Sequence, residues 1–205
     1  MTLKRMSLRI ALIALVAPHA HPQTPKPYAD VNTPHFRAEV CGGIAVDFRT
    51  RIWSYFQLRS ELKKGLPVLK LTNDPAEIGM AVRALATRIR MARVGAKEGD
   101  FFTPTISAVF RKTLFLELDA SSWAAIMDDN PGEFSVPING SYPEGKPFST
   151  MPPSILAILP TLPDDIEYRF LGRHLILLDT EASVILDRIP YAIQPPDSDG
   201  RSCLR

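Results

Sequence analysis

Glu167, His174, Asp179, Glu181 and Asp187 crowd into one short stretch near the C-terminus. Carboxylates and an imidazole gathered this way could surround a hard cation. His174 with Asp179 could instead form the base–acid pair that activates a hydroxyl or thiol nucleophile, the arrangement of hydrolases. The motifs that specify such chemistry are missing from the chain. It contains no Gly-x-Ser-x-Gly, no Cys-x-x-Cys, no His-Glu-x-x-His and no calcium-loop spacing. Gly95 and Gly99 match neither a phosphate-binding loop nor a dinucleotide fingerprint. Acids on the outer face of a small sheet are ordinarily solvated, and so is a histidine in a hairpin loop. The expectation is a solvated cluster, with no metal and no cofactor.

A second group is basic. Arg83, Arg88, Arg90, Arg93 and Lys97 share one helical stretch. Such a face can recognise phosphate, carboxylate sugars or anionic headgroups. It can equally be a solvated surface whose bases sit toward the C-terminus, where the helix dipole favours them. The solvated reading is the expectation, with Arg90 and Arg93 as the candidates should the face bind an anion.

Two cysteines, Cys41 and Cys203, complete the reactive inventory. In an oxidising compartment they could form a disulfide that closes a very long loop, worth up to about 5 kcal/mol in the chain-entropy picture. They could also be two free thiols. Cys41 with His35 or His174 is a third, nucleophilic possibility that competes with the bridge. His21 would become the mature N-terminus if the chain is cut after Ala20, and its amine and imidazole could then hold copper.

The elements that must position these residues follow from periodicity. Phe48, Ile52, Tyr55 and Leu62 recur at helical spacing, with Arg49, Arg51, Arg59 and Lys63 elsewhere on the surface, and Gly65 and Pro67 stop the helix. Asp74, Pro75 and Glu77 mark a second helix start. Ile78, Val82, Leu85, Ile89 and Ala92 then form one apolar stripe, closed by Gly95 and Gly99. A third helix opens at Thr103-Pro104 and buries Ile106, Val109, Phe110 and Leu114. Ser121 or Ser122 caps a fourth, carrying Trp123, Ile126 and Met127. Phe134 to Tyr142 reads as extended, with Asn139-Gly140 as a turn, and Ser154 to Leu159 as a short helix. Glu167–Leu171, Leu175–Asp179 and Val184–Ile189 are three apolar runs joined by hairpin-length loops. They predict an antiparallel meander with one apolar face packed on the helices.

The start of the chain sets the compartment. Lys4, Arg5 and Arg9 precede the unbroken apolar run Ile10–Ala17, with Ala20 just beyond. A basic segment, a short apolar one and a small residue form the pattern of a cleavable export signal. The run is far shorter than the roughly 20 apolar residues that span a bilayer, and no later stretch reaches that length. The whole chain of 205 residues has 24 Lys+Arg against 22 Asp+Glu. The leader removes three bases and no acid, so 21 bases face 22 acids and the net charge becomes −1. No concentrated positive field remains for nucleic acid. The expected organisation is a signal peptide over 1–20, a proline-rich extended lead-in over 21–40, one domain over 41–192 and a flexible tail over 193–205.

The run Leu162 to Asp179, continuing through Ala182 and Val184 to Asp187, resembles the C-terminal signature of a group of exported bacterial proteins of unknown activity. Arg88 to Arg90 and Ala96 to Asp100 resemble that group's central helix and its exit, and Asn139 to Pro143 a further segment of it. The resemblance covers most of residues 40–190. It implies a periplasmic or secreted protein, and no catalytic residues carry over. The closing hairpin is similar, more loosely, to one at the end of small periplasmic proteins of nickel and cobalt homeostasis.

These readings converge on an exported α+β protein, a helical bundle-like N-terminal portion packed with a C-terminal three-stranded antiparallel β meander. Its expected role is non-catalytic binding or envelope association, with a protein or small anionic ligand as partner. The alternatives are a periplasmic or secreted enzyme of unrecognised type, with hydrolysis by His174 and nearby acids the first chemistry to consider, and a metal-handling periplasmic protein.

Overall fold

The structure is a computed structural model that describes residues 42–66, 74–135 and 137–195. The leader, the proline-rich lead-in, Cys41, Cys203 and the tail beyond residue 195 lie outside the described residues. All described residues fall in one compact unit.

Five helices precede three strands among the described residues: α1 Gly42–Lys63, α2 Pro75–Ala92, α3 Pro104–Glu117, α4 Ala120–Asp128, α5 Pro153–Ile158, β1 Ile166–Leu171, β2 His174–Asp179 and β3 Val184–Ile189. The α+β architecture is that of a helical portion followed by an antiparallel sheet of order β1-β2-β3. None of the described helices is long and apolar enough to cross a membrane.

The helix starts follow their capping chemistry. The Asp74 carboxylate accepts from the Ala76 N–H, and Pro75 occupies the first helical turn, where no N–H is needed. Thr103 caps α3 through its hydroxyl, which accepts from the Ile106 N–H at 3.3 Å. At α4 the cap is Asp119, two to three residues before the expected serines. Its carboxylate accepts from the Ser122 N–H at 2.7 Å and the Ser121 hydroxyl at 3.0 Å. A carboxylate next to the positive end of a helix outcompetes a neutral hydroxyl, and those bonds hold the Asp119 pKa below its ordinary value.

The core forms where α1, α3 and the sheet meet. Phe48 stacks on Phe102 with centroids 5.7 Å apart, and Phe110 lies 5.3 Å from Phe48 and 6.0 Å from Tyr168 of β1. Of the α2 stripe only Leu85 and Ile89 are buried, joined by the neighbouring Ala86, and Ala92 is exposed. Ile78 stays 38 % exposed, so the N-terminal half of the stripe does not enter the core.

The sheet departs from expectation on its outer face. Ile166, Tyr168, Phe170, Leu175, Leu177, Val184, Leu186 and Ile189 face the helices. Leu171, Ile176, Leu178 and Ile185 are also buried, in a second cluster with Tyr142, against which Phe134 and Ile138 pack. The 134–142 segment is therefore a cover for the other face, not a regular strand. It touches β3 by one bridge, Ser141 to Val184, flanked by the bonds Asn139 N–H to Ile185 O and Ile185 N–H to Gly140 O. A meander apolar on both faces needs such a second layer.

Two irregularities set the sheet's geometry. Gly172 takes φ +58° in the two-residue hairpin, and a Cβ there would come within 2.2 Å of Glu133 Cγ. The pairing of β2 with β3 then shifts between Leu177 and Leu178, so that Leu177 faces Asp187 while Leu178 faces Ile185. This bulge re-aims the middle of β3, and bulges commonly serve that purpose.

Candidate functional site

Asp179 follows Leu175 and Leu177 at alternating positions of β2, so it points toward the helices. Its side chain is fully buried. Oδ2 accepts from the Tyr55 hydroxyl at 2.6 Å and from Arg59 Nε at 2.8 Å, and Oδ1 accepts from the Ala182 N–H at 2.9 Å. Arg59, itself 3 % exposed, also donates from Nη2 to Asp165 at 3.0 Å and to Glu181. Glu181 is shared with Lys63 at 2.7 Å. Burial works against the charge on Arg59, but the carboxylates of Asp179, Glu181 and Asp165 outweigh it and raise its pKa. Burial and then the adjacent Asp179 charge push the Tyr55 phenol well above its ordinary value. Asp179 is thus an ionic node tying α1 to the end of β2, and the expectation of a solvated acid is overturned. Arg59 likewise leaves the surface assigned to it, because it extends the stripe Phe48, Ile52, Tyr55 by one more helical step.

Asp187 is the second buried acid. The bulge places it opposite Leu177, on the helical side of the sheet. Oδ2 accepts from the Phe101 and Phe102 N–H groups at 2.7 and 2.8 Å, and Oδ1 from the Gly99 and Arg188 N–H groups at 3.0 and 2.8 Å. Burial raises its pKa against the pull of those four bonds. Asp187 therefore holds the turn between α2 and α3. It is not solvated either.

His174 does not join these acids. It opens β2 while Asp179 closes it, about 16 Å away at about 3.3 Å per residue. Its Nδ1 accepts from the Tyr191 N–H at 3.0 Å, and its ring meets that of Tyr191 edge-on. The proton must then sit on Nε2, and burial lowers the imidazole pKa. Glu167 pairs with Arg169 on β1. Among the described residues no three His, Cys, Asp or Glu side chains are grouped to hold a metal. The base–acid pair and the five-residue cation cluster are both absent as spatial units.

The basic face of α2 also splits. Arg90 donates to the Asn139 carbonyl at 3.3 Å and to the Ser141 hydroxyl. Asn139 replies by donating to the Arg90 and Arg93 carbonyls at 3.2 and 2.9 Å, satisfying carbonyls that the helix end leaves open. Arg88 donates to the Leu62 and Lys64 carbonyls, stapling α1 to α2. The solvated reading of this face fails for all three arginines, and most plainly for Arg93.

Arg93 is one helical step beyond Ile89 on the buried side of α2, with its side chain 9 % exposed. Nη2 donates to the Leu186 carbonyl at 3.1 Å and lies 3.6 Å from Asp100. Its Cζ stands 5.6 Å from the Tyr55 ring centroid and 5.0 Å from that of Phe101. Nη1 is buried and has no hydrogen-bond partner among the described residues. Burial lowers the pKa of this guanidinium, opposed by Tyr55, Asp100 and Asp187.

These groups border a cleft of about 470 Å³ between α1 and the 93–101 turn, lined by Asp47, Thr50, Arg51, Ser54, Tyr55, Leu58, Arg93, Asp100 and Phe101. The cleft is open to solvent over most of its extent, a surface depression and not an enclosed pocket. Two of its aromatic walls are fixed by the two buried acids, Tyr55 by Asp179 and the Phe101 backbone by Asp187. Arg51 spans the entrance, donating from Nε to Asp47 and from Nη1 to the Asp100 carbonyl, both at 2.8 Å. The Thr50 and Ser54 hydroxyls donate back to the helix carbonyls of Val46 and Thr50, which leaves their lone pairs as acceptors. The acids and Arg93 were visible in the sequence. The cleft that they build was not, because it depends on α1 and the turn meeting across the sheet.

Comparison of the chain with protein-family models, with curated proteins and with solved structures finds no match.

Proposed function

We propose that this is an exported binding protein that performs no chemistry on its ligand, and that the cleft beside α1 holds that ligand. The leader and the likeness to exported bacterial proteins support the compartment. The side chains best suited to catalysis are committed elsewhere: Asp179 to Tyr55 and Arg59, Asp187 to four N–H groups, His174 to the Tyr191 backbone. The observation that carries the reading is the depression beside α1, lined by the charged groups of Asp47, Arg51, Arg93 and Asp100 and by Tyr55 and Phe101.

A thermal-shift scan of the full chain against a collection of small polar molecules tests this reading. Ser54 is exposed on the cleft rim, so Ser54→Trp fills the cleft without touching the core. Binders that raise the melting temperature of the wild type and not of Ser54→Trp are expected, by preferential binding to the folded state. Equal shifts in both proteins, or none in either, would remove the cleft from the account.

A further inference from the structure

We propose that His174 is a proton-operated latch on the turn after β3: neutral, it holds Tyr191 against the β1–β2 hairpin, and protonated, it lets residues 191–193 go. The direction of one bond requires the neutral ring. Nδ1 accepts from the Tyr191 N–H at 3.0 Å, and an imidazolium, a donor at both nitrogens, has no lone pair to accept with. The residue held this way is strained. Tyr191 sits at φ +48°, a left-handed conformation that a side chain with a Cβ disfavours. Its neighbours keep it there. The Arg173 guanidinium stands 5.0 Å from the centre of the Tyr191 ring, and the His174 ring meets that ring edge-on at 4.8 Å. The Arg173 carbonyl accepts from the Ile193 N–H at 3.3 Å. Residues 191 and 193 are thus both clasped by the pair Arg173 and His174. Pro190 is held separately, its carbonyl accepting from Arg111 of α3 at 2.9 Å, which gives the chain a pivot just before the latch.

Charge acts in the same direction as geometry. The groups facing His174 are Arg173 and Tyr191, Arg188 of β3, Glu98 of the turn after α2 and Glu133 of the segment after α4. Glu133 is already paired with Arg173 at 3.1 Å and Glu98 with Arg188 at 2.6 Å. These four charges cancel in pairs, so a proton on His174 adds an uncompensated positive charge beside two guanidinium groups. Burial holds the imidazole below its ordinary value, as a closed latch that resists the proton must. By linkage, a state that resists the proton is the state that acid opens. Ala192 and Ile193 are buried behind the latch, so release uncovers two apolar side chains.

The test is an NMR titration of the isotope-labelled full chain from about pH 7.5 to about pH 4.5, a range that brackets the ordinary imidazole value of about 6.5. At the start the ring nitrogens should show the proton on Nε2. As the ring titrates, the Tyr191 amide shift should follow it with the same midpoint. Hydrogen-exchange protection of Tyr191 and Ile193 should fall by about threefold or more, as the loss of one hydrogen bond requires. The Leu177 amide shift, in the middle of β2, should stay put and show that the sheet remains folded. His174→Asn carries an acceptor one bond beyond Cγ, as Nδ1 is, and takes up no proton in this range, so it should keep Tyr191 protected throughout. His174→Ala should leave Tyr191 unprotected at every pH, again with Leu177 in place. Tyr191 protection that stays constant while His174 titrates would overturn the inference. So would an equal fall in His174→Asn, undiminished protection in His174→Ala, or a Leu177 shift that moves with the same midpoint.

Discussion

Replacing Asp179 by alanine removes three hydrogen bonds and the most deeply buried counter-charge of Arg59 in one step. Arg59 retains Asp165 and Glu181, but both are partly exposed, whereas Asp179 is fully buried. Breaking a buried ion pair from one side costs about 3–5 kcal/mol. For a domain of this size each kcal/mol moves the melting temperature by roughly 2–4 °C, so the variant should melt roughly 6–20 °C lower. Tyr55→Phe deletes only the phenol's bond to the carboxylate, worth about 1.5–3 kcal/mol for a charged acceptor. Glu181→Gln alters the partly exposed edge of the same network and leaves Arg59 its bonds to Asp179 and Asp165, so it should cost about 1 kcal/mol. Urea unfolding of the three single variants and of Tyr55→Phe with Asp179→Ala completes the cycle. The double variant should fall short of the summed losses by about the Tyr55 contribution, because the two residues share one bond. A loss below about 1 kcal/mol for Asp179→Ala, or strict additivity in the double variant, would mean that the node does not hold α1 to the sheet.

Leu85→Ala should cost about 2–5 kcal/mol in the same assay, as truncation of a buried leucine does, and Arg90→Ala about 1 kcal/mol through its bonds to Asn139 and Ser141. A loss below about 0.5 kcal/mol for Arg90→Ala would return that side chain to the solvated class. His174, with its folded pKa lowered, binds fewer protons folded than unfolded, so stability rises with pH between the two values. Its contribution is complete above the unfolded value of about 6.5 and is lost as pH falls through the folded one. Urea midpoints taken from pH 7.5 downward should fall faster in the wild type than in His174→Gln, and parallel curves would contradict the burial that lowers the His174 pKa. Residues 1–30 fused to a reporter active only outside the cytoplasm should give signal, and a stable but silent fusion would contradict export.

Much of the framework is legible because it is written in local rules. Asp74-Pro75, Thr103-Pro104 and the three β runs name their own elements through capping and alternation, and the helices and meander lie where those rules put them. What escaped the sequence reading was polar burial. Arg59 and Arg93 each stand one helical step beyond an apolar residue, Tyr55 and Ile89, on the buried face. An arginine at such a position must find carboxylates or aromatic faces. The ordinary preference of charge for water masks that signal. Asp179 gave a similar signal by alternating with Leu175 and Leu177. Asp187 gave none, since only the β3 bulge turns it inward and nothing in Val184 to Ile189 announces a bulge. The second sheet layer was hidden for the same reason. Phe134, Ile138 and Tyr142 look like a weak strand until the other face of the meander is known to be apolar.

Native mass spectrometry of the full chain and of its Ser54→Trp variant, both purified without added small molecules, tests the central claim most directly. The wild type should carry a small non-covalent mass that dissociates on activation, and Ser54→Trp should lack it. The same adduct on both proteins would place the ligand outside the cleft, and a bare wild type under conditions that preserve weak complexes would contradict the binding function.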